Sequence, residues 1–78
     1  MFNVGELVTC ADSRRYAYTT DRSLCKVTEI NRYGTIIVEI VAHRDGVFGE
    51  FDVNPNYFRH CTYAEFMEKY PNAKLNDK

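Results

Sequence analysis

The stretch "TIIVEIVA" at 35 to 42 constrains this chain more than any other segment, because it is written almost wholly in β-branched residues. Such side chains are stiff at χ1 and pack well on a pleated surface, so the segment is expected to be a strand. Ile36, Val38 and Ile40 share one face, while Ile37 and Val41 share the other. Apolar residues on both faces require cover on both sides over part of the strand, which points to a curled sheet or a small barrel.

The flanking segments supply partners for that strand. "VGELVTC" at 4 to 10 reads as a first strand entered through Gly5, and "LCKVTEIN" at 24 to 31 as a second, carried by Leu24, Cys25, Val27 and Ile30. "NRYG" then offers Asn and Gly for a tight turn. Beyond the central strand, Asp45-Gly46 in "HRDGVFG" is a favoured two-residue hairpin turn, and the chain is expected to return as "VFGEFDV". Pro55 has no amide to donate and Asn54 and Asn56 favour turns, so "NPNYF" breaks this strand before a short last one, "FRHC".

The period then changes. In "CTYAEFMEKYP" Thr62 and Glu65 have the spacing of a capping box, and Cys61 and Phe66 that of a hydrophobic staple. Tyr63, Phe66, Met67 and Tyr70 fall on one helical face, Glu65 and Lys69 pair along its side, and Pro71 stops it. That face is wide enough to pack on the chain's own sheet, with docking on a partner as the alternative. Residues 72–78 read as a frayed tail after a single domain spanning 1–71.

A chain of 78 residues with 45% hydrophobic content supports one small core and no more. Such a core supplies only ~3–5 kcal/mol of net stability without a disulfide or metal. Cys10, Cys25 and Cys61 cannot all pair within one chain and lack C-x-x-C spacing, so they are read as small buried hydrophobes in a reducing cytosol. A metal site joining Cys61 to His60 or His43 is the alternative, but neighbours on a strand point to opposite faces, which makes His60 and Cys61 a poor pair of ligands. "MFNVGELV" has neither a basic region nor a long apolar run, so no secretory signal or membrane span is expected and the cytoplasm is the expected location. Ten Lys and Arg against eleven Asp and Glu argue against a general grip on phosphates, though a local basic patch remains compatible with this balance.

The order strand, long loop, three strands joined by short turns, Pro-containing turn and last strand resembles the SH3-like small β-barrels. The fold class expected is therefore mainly β, a small SH3-like β-barrel of about five strands with one C-terminal α-helix. The resemblance covers roughly residues 2 to 61: segment 11–23 stands where those domains have their RT loop, and "PNYF" at 55 to 58 looks like their short helical turn. Departures bear on function. One residue is missing between Pro55 and Asn56, Arg14 and Arg15 replace the acidic cluster of a typical RT loop, and no Trp is present to wall a polyproline groove. The layout also resembles small SH3-like proteins of unassigned function encoded by bacteriophages, which implies an accessory factor that binds and inhibits or redirects a host protein in bacterial cytosol.

"ADSRRYAYTTDRS" at 11 to 23 carries the best binding candidates. Arg14, Arg15 and Arg22 bring planar forks for carboxylate or phosphate, and Tyr16 and Tyr18 bring rigid surface with a polar tip. These are the residue types enriched at interface hot spots. If 16 to 18 run extended, the two tyrosines share a side, facing either a partner or the core. Asp12 and Asp21 bracket the arginines and partly cancel their field, which suits a shaped loop for protein recognition better than electrostatic capture. Pro55 and Tyr57 are expected beside this loop. A second candidate surface is His43, Arg44 and Phe48, with Phe48 either anchoring a partner or folding beneath the sheet.

No nucleophile elbow, phosphate loop or metal-ligand spacing appears, and no catalytic residue, metal or cofactor is assigned. The expected function is that of a non-catalytic protein-binding module whose partner is a host protein. The rival is a nucleic-acid-binding barrel in the style of KOW modules, with Tyr16 or Tyr18 stacking and Arg14, Arg15, Arg22 and Lys26 on phosphate. Open sheet edges also allow pairing across a homodimer.

Overall fold

The computed structural model describes residues 2–11 and 22–76. In chain order these form β1 (Leu7–Cys10), β2 (Ser23–Ile30), β3 (Ile36–His43), β4 (Glu50–Val53), a 3-10 turn (Pro55–Tyr57), β5 (Phe58–His60), α1 (Tyr63–Lys69) and β6 (Lys74–Leu75). The protein is mainly β: one antiparallel sheet runs in the order β4, β3, β2, β1, β5, and β6 pairs separately with β3.

The central strand explains the rest. Ile36, Val38 and Ile40 are buried on its inner face with Val8 and Cys10 of β1, Cys25 and Val27 of β2, Val53 of β4 and Phe58 of β5. Side chains from both ends of the sheet order thus meet in one core, so the sheet is curled. Two register shifts provide the curl. Val41 is the extra residue on β3 where Leu24 faces Ala42 and Cys25 faces Ile40, and Thr28 is the extra one on β2 where Val27 faces Val38 and Glu29 faces Ile37.

The first shift also divides the core. Below it lies the cluster just described; above it Leu24 and Ala42 pack with Cys61 and Phe66, flanked by Val41, Met67 and Tyr70. The apolar face of α1 is therefore covered by the chain's own sheet, with Phe66 buried and Tyr63 left half exposed. Thr62 and Glu65 close the capping box at its start, the Thr62 hydroxyl accepting from the Glu65 amide at 3.1 Å and Glu65 Oε1 accepting from the Thr62 amide at 3.3 Å.

Two sequence expectations change. Asp45-Gly46 does turn, with Gly46 at φ +82° and its amide donating to the His43 carbonyl, but it is not a two-residue hairpin. The Arg44 amide donates instead to the Arg22 carbonyl, and the returning chain rejoins β3 only where the Ile40 amide reaches the Gly49 carbonyl. The reason is the second correction: the segment read as a frayed tail contains β6, which pairs Leu75 with Ala42 and Lys74 with His43 and so occupies the β3 edge that a short hairpin needs. The Asn76 amide extends this to the Val41 carbonyl at 3.0 Å.

At the other end, Phe2 is buried in the core and its ring meets His60 edge-on at 4.8 Å. Gly5, at φ +95°, turns the chain into β1, a left-handed conformation that favours glycine. No described helix is long and apolar enough to cross a membrane.

Candidate functional site

Of the residues expected to bind a partner, Arg14, Arg15, Tyr16 and Tyr18 lie outside the described residues. The two feet of their segment are described. Thr9, buried, donates its hydroxyl to the Ser23 carbonyl at 2.7 Å across the mouth between β1 and β2. On one side the Ala11 amide donates to the Tyr57 carbonyl at 2.7 Å; on the other the Arg22 carbonyl accepts from the Arg44 amide at 2.9 Å.

Those two bonds tie Ala11 to the Tyr57 side and Arg22 to the Arg44 side. On the first side, Asn54 caps the 3-10 turn by accepting from the Asn56 amide at 2.9 Å, and Pro55 stands at its first position. Tyr57 is half-buried with its side chain packed against the main core. Pro55 and Tyr57 therefore present partly covered surfaces at the base of the segment, and Arg22 is exposed at the opposite foot.

The second surface is brought together only in part. His43 is buried at 4% exposure and does not offer its ring to a partner. Its Nδ1 accepts from the Asp45 amide at 2.9 Å, so the imidazole holds the start of the turn. Desolvation, reinforced by the charges of Arg22 and Arg44 and opposed by Asp45, lowers its pKa. The Arg44 fork engages both carboxylate oxygens of Asp45, at 3.1 and 3.0 Å, and holds that carboxyl below its ordinary range. Val47 and Phe48 remain exposed, at 41% and 36%, so Phe48 does not fold beneath the sheet.

All three cysteines are buried, and none is in a disulfide. Burial pushes the Cys25 thiol up to about 12, against a weak Ser23 contact, and pushes Cys61 up as well. His60, the last residue of β5, is exposed, whereas Cys61, which follows the strand, is buried.

Sequence reasoning missed two features. The Thr9–Ser23 bond joins residues separated by a segment with no periodicity to follow, and only the pairing of β1 with β2 brings them together. The other is a pair at the far end of β1: Glu6 Oε2 meets His60 Nε2, while Glu6 Oε1 accepts from the Asn3 amide at 2.9 Å. Desolvation works to raise the Glu6 pKa, but the bonds from His60 and Asn3 and the His60 charge outweigh it and hold the carboxyl below its ordinary value. Pairing of β1 with β5 brings these distant residues into reach.

No family model matches the chain, and no curated protein or solved structure is significantly similar to it.

Proposed function

We propose that this chain is a non-catalytic protein-binding module of the SH3-like kind, an accessory factor of phage type that binds and inhibits or redirects a host protein in the bacterial cytosol. Its contact surface is segment 11–23, with Arg14, Arg15, Tyr16 and Tyr18 as anchors and Arg22, Pro55 and Tyr57 at its base. Val47 and Phe48 extend the surface beyond Arg44.

The observation that carries this reading is the pair of backbone bonds at the segment's feet, Ala11 to Tyr57 and Arg44 to Arg22. They anchor Ala11 and Arg22, which flank the Arg- and Tyr-rich stretch in sequence, to Tyr57 and to Arg44. Binding segments mounted on rigid scaffolds are a common arrangement, and Arg and Tyr anchors suit it. The element order, with a 3-10 turn between the fourth and fifth strands, supports the SH3-like assignment.

The chemistry of the thiols supports a non-catalytic role. A nucleophilic cysteine needs a lowered pKa, and burial drives Cys25 and Cys61 the other way. The test is co-purification of the tagged protein from bacterial lysate with and without nuclease. A dominant protein partner surviving nuclease is expected; loss of every partner on nuclease treatment would replace this reading with nucleic-acid binding.

A further inference from the structure

The sheet ends in two edges. Among the described residues β4 has a ladder partner only in β3 and β5 only in β1, so Glu50–Val53 and Phe58–His60 each present one backbone edge with no strand beside it. These edges differ in charge. On β4 the exposed Glu50 and Asp52 alternate with Phe51 and Val53, which pack in the core; on β5 the exposed Arg59 follows the buried Phe58. Among the described residues neither Glu50 nor Arg59 is in an ion pair. Arg59 Nη1 donates to the His60 carbonyl at 3.3 Å, and Asp52 accepts from the Asn31 side-chain amide at 3.4 Å. Glu50 stands directly opposite Glu39 of β3, and a cavity of about 140 Å³ beside them is lined by both, with Gly49 and Asn76. Like charges directly opposite destabilise a sheet, and Lys26, opposite Glu39 on β2, forms no ion pair with it.

We propose that the β4 edge pairs with the β5 edge of a second copy of this chain, head to tail, bringing Arg59 of that copy to Glu50 and Glu39. Both faces of the sheet then continue across the junction. Phe58 of the second copy extends the apolar row of Phe51 and Val53, and Arg59 extends the charged face with the opposite sign. Charge selects this pairing over the symmetric ones: β4 against β4 sets Glu50 and Asp52 against themselves, and β5 against β5 does the same with Arg59. Each copy in such a pair keeps one edge open, so growth does not stop at two. Strands of four and three residues make the contact a weak one.

The contact uses no residue of segment 11–23, so its test is independent of the function proposed above. In sedimentation of the full chain from about 10 μM to about 1 mM, the mass is expected to rise past that of a dimer and to fall back as salt is raised. Nitrogen-15 amide shifts on dilution are expected to centre on Glu50–Val53 and Phe58–His60, a readout that needs no variant. Arg59→Glu is expected to weaken association about ten-fold, as is Glu50→Lys combined with Asp52→Lys; a mixture of the two variants sets acidic edges against basic ones and is expected to restore it. A chain that stays monomeric, a mass that levels off at the dimer, shifts centred elsewhere, or a mixture of folded variants that fails to associate would each overturn the proposal.

Discussion

His43 shows how one side chain can serve the scaffold where the sequence suggests a contact. Its Nδ1 must be unprotonated to accept from the Asp45 amide, and its surroundings already favour the neutral ring: desolvation first, then Arg22 and Arg44, with Asp45 alone opposing. A histidine with a depressed folded pKa contributes stability that is present above its unfolded value and is lost as pH falls through the folded one. Thermal unfolding is therefore expected to shift to lower temperature as pH drops from neutrality through the ordinary histidine value of about 6.5. His43→Asn, which keeps an acceptor near the same place without the titration, is expected to flatten that part of the pH profile. An equally steep profile in the variant would assign the dependence to other groups. Glu6 behaves in the same direction at more acid pH, because its carboxyl is held below the ordinary value of 4.5 by His60 and Asn3. The ring cannot be placed from the sequence, which sets His43 only beside an exposed Phe48; pairing with Ser23 of β2 and with Lys74 of β6 flanks it on both sides.

Helix and strand elements divide into those that local sequence determines and those that depend on distant partners. α1 belongs to the first group, since Thr62, Glu65 and the Phe66 face are all contiguous. Thr62→Ala is expected to cost about 1 kcal/mol in chemical denaturation by removing the cap. Phe66→Ala removes the ring that ties the helix to Leu24 and Ala42, and is expected to cost about 3–5 kcal/mol. A cost of that size approaches the whole net stability of ~3–5 kcal/mol for a core of this class, so the variant should be largely unfolded at room temperature. β6 belongs to the second group. Nothing in "NAKLNDK" alternates strongly enough to announce a strand, and its two residues are strand only because Ala42 and His43 offer an edge. The central strand, by contrast, was legible throughout, because its β-branched residues specify both conformation and buried face. Truncation after residue 72 is expected to lower stability modestly and to raise hydrogen exchange at His43, which pairs with Lys74, while leaving Val38 protected; unchanged exchange at His43 would contradict the β6 pairing.

At the scale of the whole molecule, the two register shifts and the terminal elements matter most. They curl one sheet around a core and leave a separate second cluster beneath the helix. Bulges are one-residue events that leave no pattern in a run of apolar residues, so the divided core was hidden although its members were not. The candidate site is legible to a similar depth. The arginines and tyrosines of 11–23 stand out in the sequence, whereas the bonds from Ala11 to Tyr57 and from Arg44 to Arg22 depend on the assembled sheet. The central claim is that segment 11–23 binds a protein, and its most direct test compares the Arg15→Glu, Tyr18→Ala double variant with the unaltered chain in nuclease-treated co-purification. The account predicts a variant that unfolds at the same temperature as the parent and loses the dominant partner. A normally folded variant that retains that partner at full yield would contradict it.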